Sequence, residues 1–202
     1  METGGEKRTA GDVQHTPAYT AAMQAIVSAL DDPHREMVEN IWGELKAVFG
    51  LQSVVGSTRP HVTYHVAEAY DAARIADALA GAARAMRPFA IETHGLGVFR
   101  GDETVLYLHV SPSPALAAMH GAVWDAATPI ATGPKPVYGA TTWVPHITLA
   151  SGDLSEEVLP VALQFLNRRE YRWTIPVTNV SFIPDGSAAS SEWRRFELGT
   201  IG

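Results

Sequence analysis

Cysteine is absent from the 202 residues of the chain, which excludes disulfides, thiolate nucleophiles and cysteine-ligated zinc. No uninterrupted apolar run approaches the roughly 20 residues that a membrane helix needs, and Met1 to Pro17 lacks the apolar centre of a secretory signal. The expectation is a soluble, cytoplasmic protein without a membrane partner. Positive charge is scarce: 15 Lys and Arg stand against 22 Asp and Glu, a formal charge of −7. Long nucleic acid therefore finds no broad electrostatic surface, although a local basic cleft for a short or terminal phosphate remains allowed. Two familiar glycine motifs are missing as well. Neither Gly95-Leu96-Gly97 nor Gly133-Pro134-Lys135-Pro136 has the order Gly-x-x-x-x-Gly-Lys-Ser/Thr, and no Gly-x-Ser-x-Gly occurs, which argues against ATP use and against a serine hydrolase.

What the chain does contain is a five-residue pattern written twice, Pro60-His61-Val62-Thr63-Tyr64 and Pro145-His146-Ile147-Thr148-Leu149, 85 positions apart. On a strand, successive side chains alternate faces, so each copy presents His and Thr on one side and two apolar residues on the other. Two such strands side by side at the centre of a fold would converge two imidazoles and two hydroxyls on one open cleft. That is the set acid/base chemistry on a phosphoester requires. The interval is too long for a solenoid repeat and points to an internal duplication.

With 46% hydrophobic residues the chain can bury a substantial core, as one domain or two tightly joined halves. Residues 1–17 are polar and read as a flexible tail, leaving 18–202 as a single bilobal domain. Met23 to Leu30 reads as a strand. Asp31-Asp32-Pro33 then opens a helix whose inner stripe is Met37, Val38, Ile41, Leu45, Val48 and Phe49, with Gly50 as its C-terminal cap. The first motif strand, Arg59 to Ala67, precedes an alanine-rich helix from Ala72 to Met86. Phe89 to Phe99 and Thr104 to Val110 form a hairpin across Arg100-Gly101-Asp102-Glu103. Pro112 or Pro114 starts a third helix, with Leu116, Met119, His120, Val123 and Trp124 inside.

Three prolines and two glycines between Thr128 and Val144 forbid regular structure over a long connection, and Lys135, Tyr138 and Trp143 on it are expected to reach the cleft, contacting phosphate or stacking on a base. After the second motif strand, Ser155 to Asn167 suits a helix. Tyr171 to Ile183 and Trp193 to Ile201 then alternate as strands around the turn Pro184-Asp185-Gly186-Ser187. The fold class is α+β: two similar halves, each a motif strand, a helix and two strands, with antiparallel sheets lining a central cleft and helices on the outer faces.

The paired Pro-His-apolar-Thr strands, together with this element order over about Met23 to Ile201, resemble the 2H phosphoesterase superfamily. That group includes the 2′-5′ RNA ligase-like proteins and RNA 2′,3′-cyclic phosphodiesterases. The resemblance implies His61 and His146 as the catalytic pair and Thr63 and Thr148 as ligands of phosphate oxygens. Many relatives place a basic residue soon after the second motif, whereas Leu149-Ala150-Ser151-Gly152 follows here. The implied activity is metal-independent hydrolysis of a 2′,3′-cyclic phosphate or 2′-5′ phosphodiester at an RNA end or in a small nucleotide, without a cofactor, by a monomer. Reversal of the reaction would give ligation. The competing reading is a catalytically silent protein that binds a nucleotide or RNA end in the same cleft. His65 follows His61 and Thr63 on the same strand face and is expected as a hydrogen-bonded rim residue. His94, His109 and His120 lack acidic or histidine neighbours at a metal-ligand spacing and are expected to be structural.

Overall fold

The computed structural model describes residues 23–184 and 193–199. The tail expected over residues 1–17 and most of the turn expected at Pro184 to Ser187 lie outside them. Strand β1 (Gln24–Ala29) leads into α1 (Asp32–Phe49), whose first turn holds Pro33 and whose cap Gly50 adopts φ 75°, its N–H reaching the Lys46 carbonyl. The buried face of α1 is Val38, Ile41, Trp42 and Leu45, whereas Met37 and Val48 are exposed. The apolar residues of α1 thus outnumber the positions that one face covers at 3.6 residues per turn, and the outermost remain in water.

The first motif opens β2 (His61–Ala67), followed by β3 (Ala69–Tyr70), α2 (Ile75–Ala85), β4 (Phe89–Phe99) and β5 (Val105–Val110). Helix α3 (Pro114–Ala127) begins at the second of its two candidate prolines, because the Ser113 hydroxyl accepts the Leu116 N–H and so caps it there. The proline-rich connection is less irregular than its composition predicts. Residues 128–130 and 136–138 form short 3-10 turns, and between them β6 (Ala131–Thr132) pairs with β3. Strand β7 (His146–Ala150) carries the second motif, and α4 (Val158–Leu166), β8 (Thr174–Val177), β9 (Asn179–Ile183) and β10 (Arg194–Glu197) complete the described chain.

Two four-stranded antiparallel sheets result, ordered β10-β9-β1-β2 and β7-β5-β4-β8. The duplication is visible as β1-α1-β2 against β5-α3-β7, but the halves interlock. The β4–β5 hairpin that follows the first motif joins the sheet of the second, while β9 and β10 join the sheet of the first. The single strand expected from Tyr171 to Ile183 is therefore two strands in different sheets, exchanged at Thr178. Pro176, which cannot donate a ladder bond, lies on the edge strand β8.

Helices α1 and α3 exchange as well, α1 lying against β7 and α3 against β2. The side chains of Ile26, Val62, Tyr64, Leu106, Leu108, Ile147 and Leu149 are wholly buried in the core, each such apolar residue contributing roughly 1.5–3 kcal/mol. The motif strands β2 and β7 are the edges of their respective sheets. They approach each other to within 8 Å between Cα atoms and share no ladder: the motifs are neighbours across a cleft, not within one sheet.

Candidate active site

Each motif strand departs from regular pairing at the same place. On β2, Thr63 pairs with Val27 and His65 with Ile26, leaving Tyr64 as an extra residue. On β7, Thr148 pairs with Tyr107 and Ala150 with Leu106, leaving Leu149 extra. A bulge directly after each threonine bends the strand and ends the alternation of faces. This explains His65, which is not on the rim: it is wholly buried, its Nδ1 2.6 Å from the Tyr70 hydroxyl and its ring 4.6 Å from that of Trp124.

The two catalytic candidates are held in matching fashion. Nδ1–H of His61 donates to the Arg59 carbonyl at 2.5 Å, and Nδ1–H of His146 donates to the Val144 carbonyl at 2.8 Å, each acceptor two residues upstream. A carbonyl oxygen only accepts, so both neutral rings carry the proton on Nδ1 and keep the lone pair on Nε2. Burial lowers the pKa of His61 to about 4, opposed by its bond to the Arg59 carbonyl and assisted by repulsion from His146. The two rings are thus within electrostatic range. His146 is likewise lowered by burial, opposed by the Val144 carbonyl. In the free protein both imidazoles are neutral at pH 7.

Two indoles fix the backbone of the threonines. Trp143 Nε1–H donates to the Thr63 carbonyl at 2.8 Å, and Trp42 Nε1–H donates to the Thr148 carbonyl at 3.1 Å. Each indole thereby ties a neighbouring segment, the long loop or α1, to the edge strand at its motif threonine.

The walls of the cleft differ on the two sides. Beside His146 is a cavity of about 480 Å³ lined by Phe99, Val105, Val137, Tyr138, Thr142, Trp143 and Val144. Phe99 meets the His146 ring edge-on at 4.9 Å and stacks on Tyr107 at 4.2 Å. Gly97 makes this possible: it pairs with Tyr107, and a Cβ there would fall 2.4 Å from the Tyr107 ring. Beside His61 lies Trp193, ring to ring at 5.8 Å. Although β10 and β2 are opposite edges of their sheet, the sheet curls far enough to bring Trp193 over the motif.

The structure brings His61, Thr63, His146 and Thr148 to facing edges of the cleft, and puts Tyr138 and Trp143 in the wall of the His146 cavity. Trp143 also stacks on the buried His120 at 4.1 Å, while His120 Nε2–H donates to the Tyr138 carbonyl. Lys135 is placed elsewhere. Its backbone N–H bonds the Val66 carbonyl near the far end of β2, and its Nζ lies 3.7 Å from Glu68 Oε1. His109 pairs directly with His146 across β5 and β7, and His94 is exposed beside Glu92. Among the described residues no group of three or more His, Asp or Glu side chains comes together as a metal site would. Sequence reasoning missed Phe99, Tyr107, Trp42 and Trp193. The available signal was the glycine opposite an aromatic, Gly97 to Tyr107, which needs the strand register to be read.

The model of the 2′-5′ RNA ligase superfamily matches residues 31–187. The TT0787 protein of Thermus thermophilus shares the fold with TM-score 0.58 and 17% identity, over 89% of this chain and 100% of that one. Usb1 of Kluyveromyces marxianus shares it with TM-score 0.53 and 10% identity, over 88% and 99%. Its structure with uridine monophosphate also gives 0.53, at 11% identity over the same shares. A search of curated protein sequences finds no match. Among the described residues no helix is long and apolar enough to cross a membrane.

Proposed function

The chain belongs to the 2′-5′ RNA ligase superfamily, the 2H phosphoesterases, and from that starting point we propose that it is a metal-independent phosphodiesterase. It hydrolyses a 2′,3′-cyclic phosphate or a 2′-5′ phosphodiester at an RNA end or in a small nucleotide. The observation that carries this reading is the matched pair of imidazoles, each tied through Nδ1–H to a carbonyl two residues upstream. A ring so tied has one free position, Nε2, at which it takes or gives a proton.

In hydrolysis, Nε2 of one histidine removes a proton from water as the water oxygen bonds to phosphorus. The other, protonated on Nε2, delivers its proton to the ribose oxygen as the P–O bond breaks. The Thr63 and Thr148 hydroxyls donate to the non-bridging oxygens where charge accumulates. Because burial keeps both rings neutral in the free protein, the acid acquires its proton as the anionic phosphate enters and raises the nearby pKa. The symmetry of the two rings also allows ligation, in which a ribose 5′-hydroxyl in place of water attacks the cyclic phosphate as the ring P–O bond breaks, and in the reverse of that step the two rings exchange roles.

The cavity beside His146 has the size and apolar walls of a small-ligand site, suited to a base or nucleoside. A relative of this fold has been seen with uridine monophosphate, which supports a nucleotide as occupant. The test is incubation with 2′,3′-cyclic nucleotides, 2′-5′-linked oligonucleotides and cyclic dinucleotides, followed by chromatography. Turnover of at least one that persists in a chelator is expected. Saturable binding with no turnover of any would instead make the chain a nucleotide-binding protein.

A further inference from the structure

The two sides of the cleft are chemically unequal. His146 is walled by carbon: Phe99, Tyr107 and the apolar cavity. On the other side, Trp193 meets the His61 ring edge-on, and the Arg59 guanidinium lies over the Trp193 ring, its Cζ 5.6 Å from the centroid. Resting on the reading above, we propose that Arg59 and Trp193 form a second, anion-binding subsite that takes the phosphate on the 5′ side of the terminal nucleotide. The substrate is then the end of an oligonucleotide, not a free cyclic mononucleotide.

Four observations converge on this. Arg59 is exposed, and among the described residues its guanidinium lies over the Trp193 ring and against no carboxylate, which leaves its charge beside the motif histidine available to an anion. Its carbonyl accepts the Nδ1–H of His61, so the side chain starts from a point fixed to the catalytic ring. Trp193 lies immediately before β10, two residues ahead of Arg195. Arg195 pairs with Ser181, Ser181 with Val27 and Val27 with Thr63, so strand alternation places Trp193 on the face of the motif threonine.

The fourth concerns the indole nitrogen. Trp193 Nε1 is buried without an acceptor from the protein, the one such side-chain atom among the described residues. Buried indole N–H groups ordinarily find a partner; this ring is held by Arg59 and His61 and not by its own hydrogen bond. Guanidinium and indole are both donors with no acceptor capacity, which excludes a cation, and the positive charge of Arg59 favours an anion over a neutral hydroxyl. The forked guanidinium suits a phosphate in particular. With the base in the His146 cavity and the reacting phosphate between the imidazoles, the next phosphate along the chain falls beyond His61.

Calorimetric titration with uridine 3′-monophosphate and uridine 3′,5′-bisphosphate, which differ by that one phosphate, tests the subsite without turnover. The wild type is expected to bind the bisphosphate at least about tenfold more tightly, and added salt should erode this advantage. In Arg59→Ala the two affinities should converge to within about twofold, Arg59→Lys should keep part of the difference, and Trp193→Phe, which retains a ring but not the donor, should lose part. Equal affinities in the wild type, a difference that survives Arg59→Ala, or no measurable binding of the bisphosphate overturns the proposal. Hydrolysis of cyclic phosphates without any preference for the bisphosphate would remove the subsite and leave the phosphodiesterase standing. A preference lost in Arg59→Ala with no hydrolysis of any substrate would do the reverse.

Discussion

If burial keeps both proposed catalytic rings neutral in the free protein, the pH dependence of the reaction is displaced in a defined direction. His61, brought to about 4 from the ordinary 6.5, is protonated in roughly one molecule in a thousand at pH 7. His146 is shifted the same way. Catalysis by one base and one acid needs the singly protonated pair. With both rings lowered and repelling each other, that species is most abundant between the two apparent values of the pair, on the acid side of pH 6.5. Because kcat/KM reports the free enzyme, its profile on a confirmed cyclic phosphate should be a bell with its maximum below pH 6.5. Above that it should fall about tenfold per pH unit, so the value at pH 7.5 is expected to be at least about tenfold below the maximum. Bound phosphate raises both pKa values, so the profile of kcat alone should lie at higher pH. Initial rates across pH 4 to 8.5, fitted for both parameters, make the comparison. A plateau of kcat/KM reaching past pH 7.5, or a kcat profile on the acid side of it, refutes the neutral pair.

Three further outcomes follow from particular contacts. Gly97→Ala places a methyl where the Tyr107 ring lies, so the Tyr107–Phe99 stack must move; kcat/KM should fall at least about tenfold while thermal unfolding changes by the modest amount of a local overpacking. Trp42→Phe removes the donor to the Thr148 carbonyl and should cost about 1 kcal/mol in urea unfolding; no change in either stability or rate would show that the contact is idle. His65, wholly buried and lowered to about 4 by burial and then by His120, binds its proton more readily in the unfolded chain. Its stabilising neutral state is intact above pH 6.5 and is lost as pH falls from 6.5 toward 4, by up to about 3 kcal/mol; His65→Gln should flatten the fall in unfolding free energy over that window, and an unchanged slope would contradict the assignment.

The residues proposed to carry the chemistry were legible because their pattern is local and repeated. Strand alternation alone puts His61 with Thr63 and His146 with Thr148, and the apolar partners Val62, Tyr64, Ile147 and Leu149 are buried as that alternation requires. What the sequence left unread depends on relations between strands. The bulge at Tyr64 turns His65 into the interior, and nothing in His-Val-Thr-Tyr-His marks where pairing with β1 will slip. The exchange of sheets at Thr178 is marked only by a one-residue slip in the alternation, apolar residues falling at odd positions through Val177 and at even positions, Val180 and Phe182, after Thr178-Asn179. Trp193 reaches His61 only through the curl of four strands. Lys135, expected near phosphate from its place in the long loop, is drawn to Glu68 because the β3–β6 ladder pins that part of the loop to the far end of β2.

The central claim is that two histidines share one reaction. Its most direct test is kcat/KM for His61→Ala and His146→Ala, beside Thr63→Val and Thr148→Val, on the same confirmed substrate at the pH optimum of the wild type. Loss of either imidazole should lower kcat/KM by about 10²–10⁴-fold with the fold intact by circular dichroism, and loss of either hydroxyl should cost less. An alanine variant at either histidine that retains near wild-type kcat/KM would contradict the two-histidine mechanism.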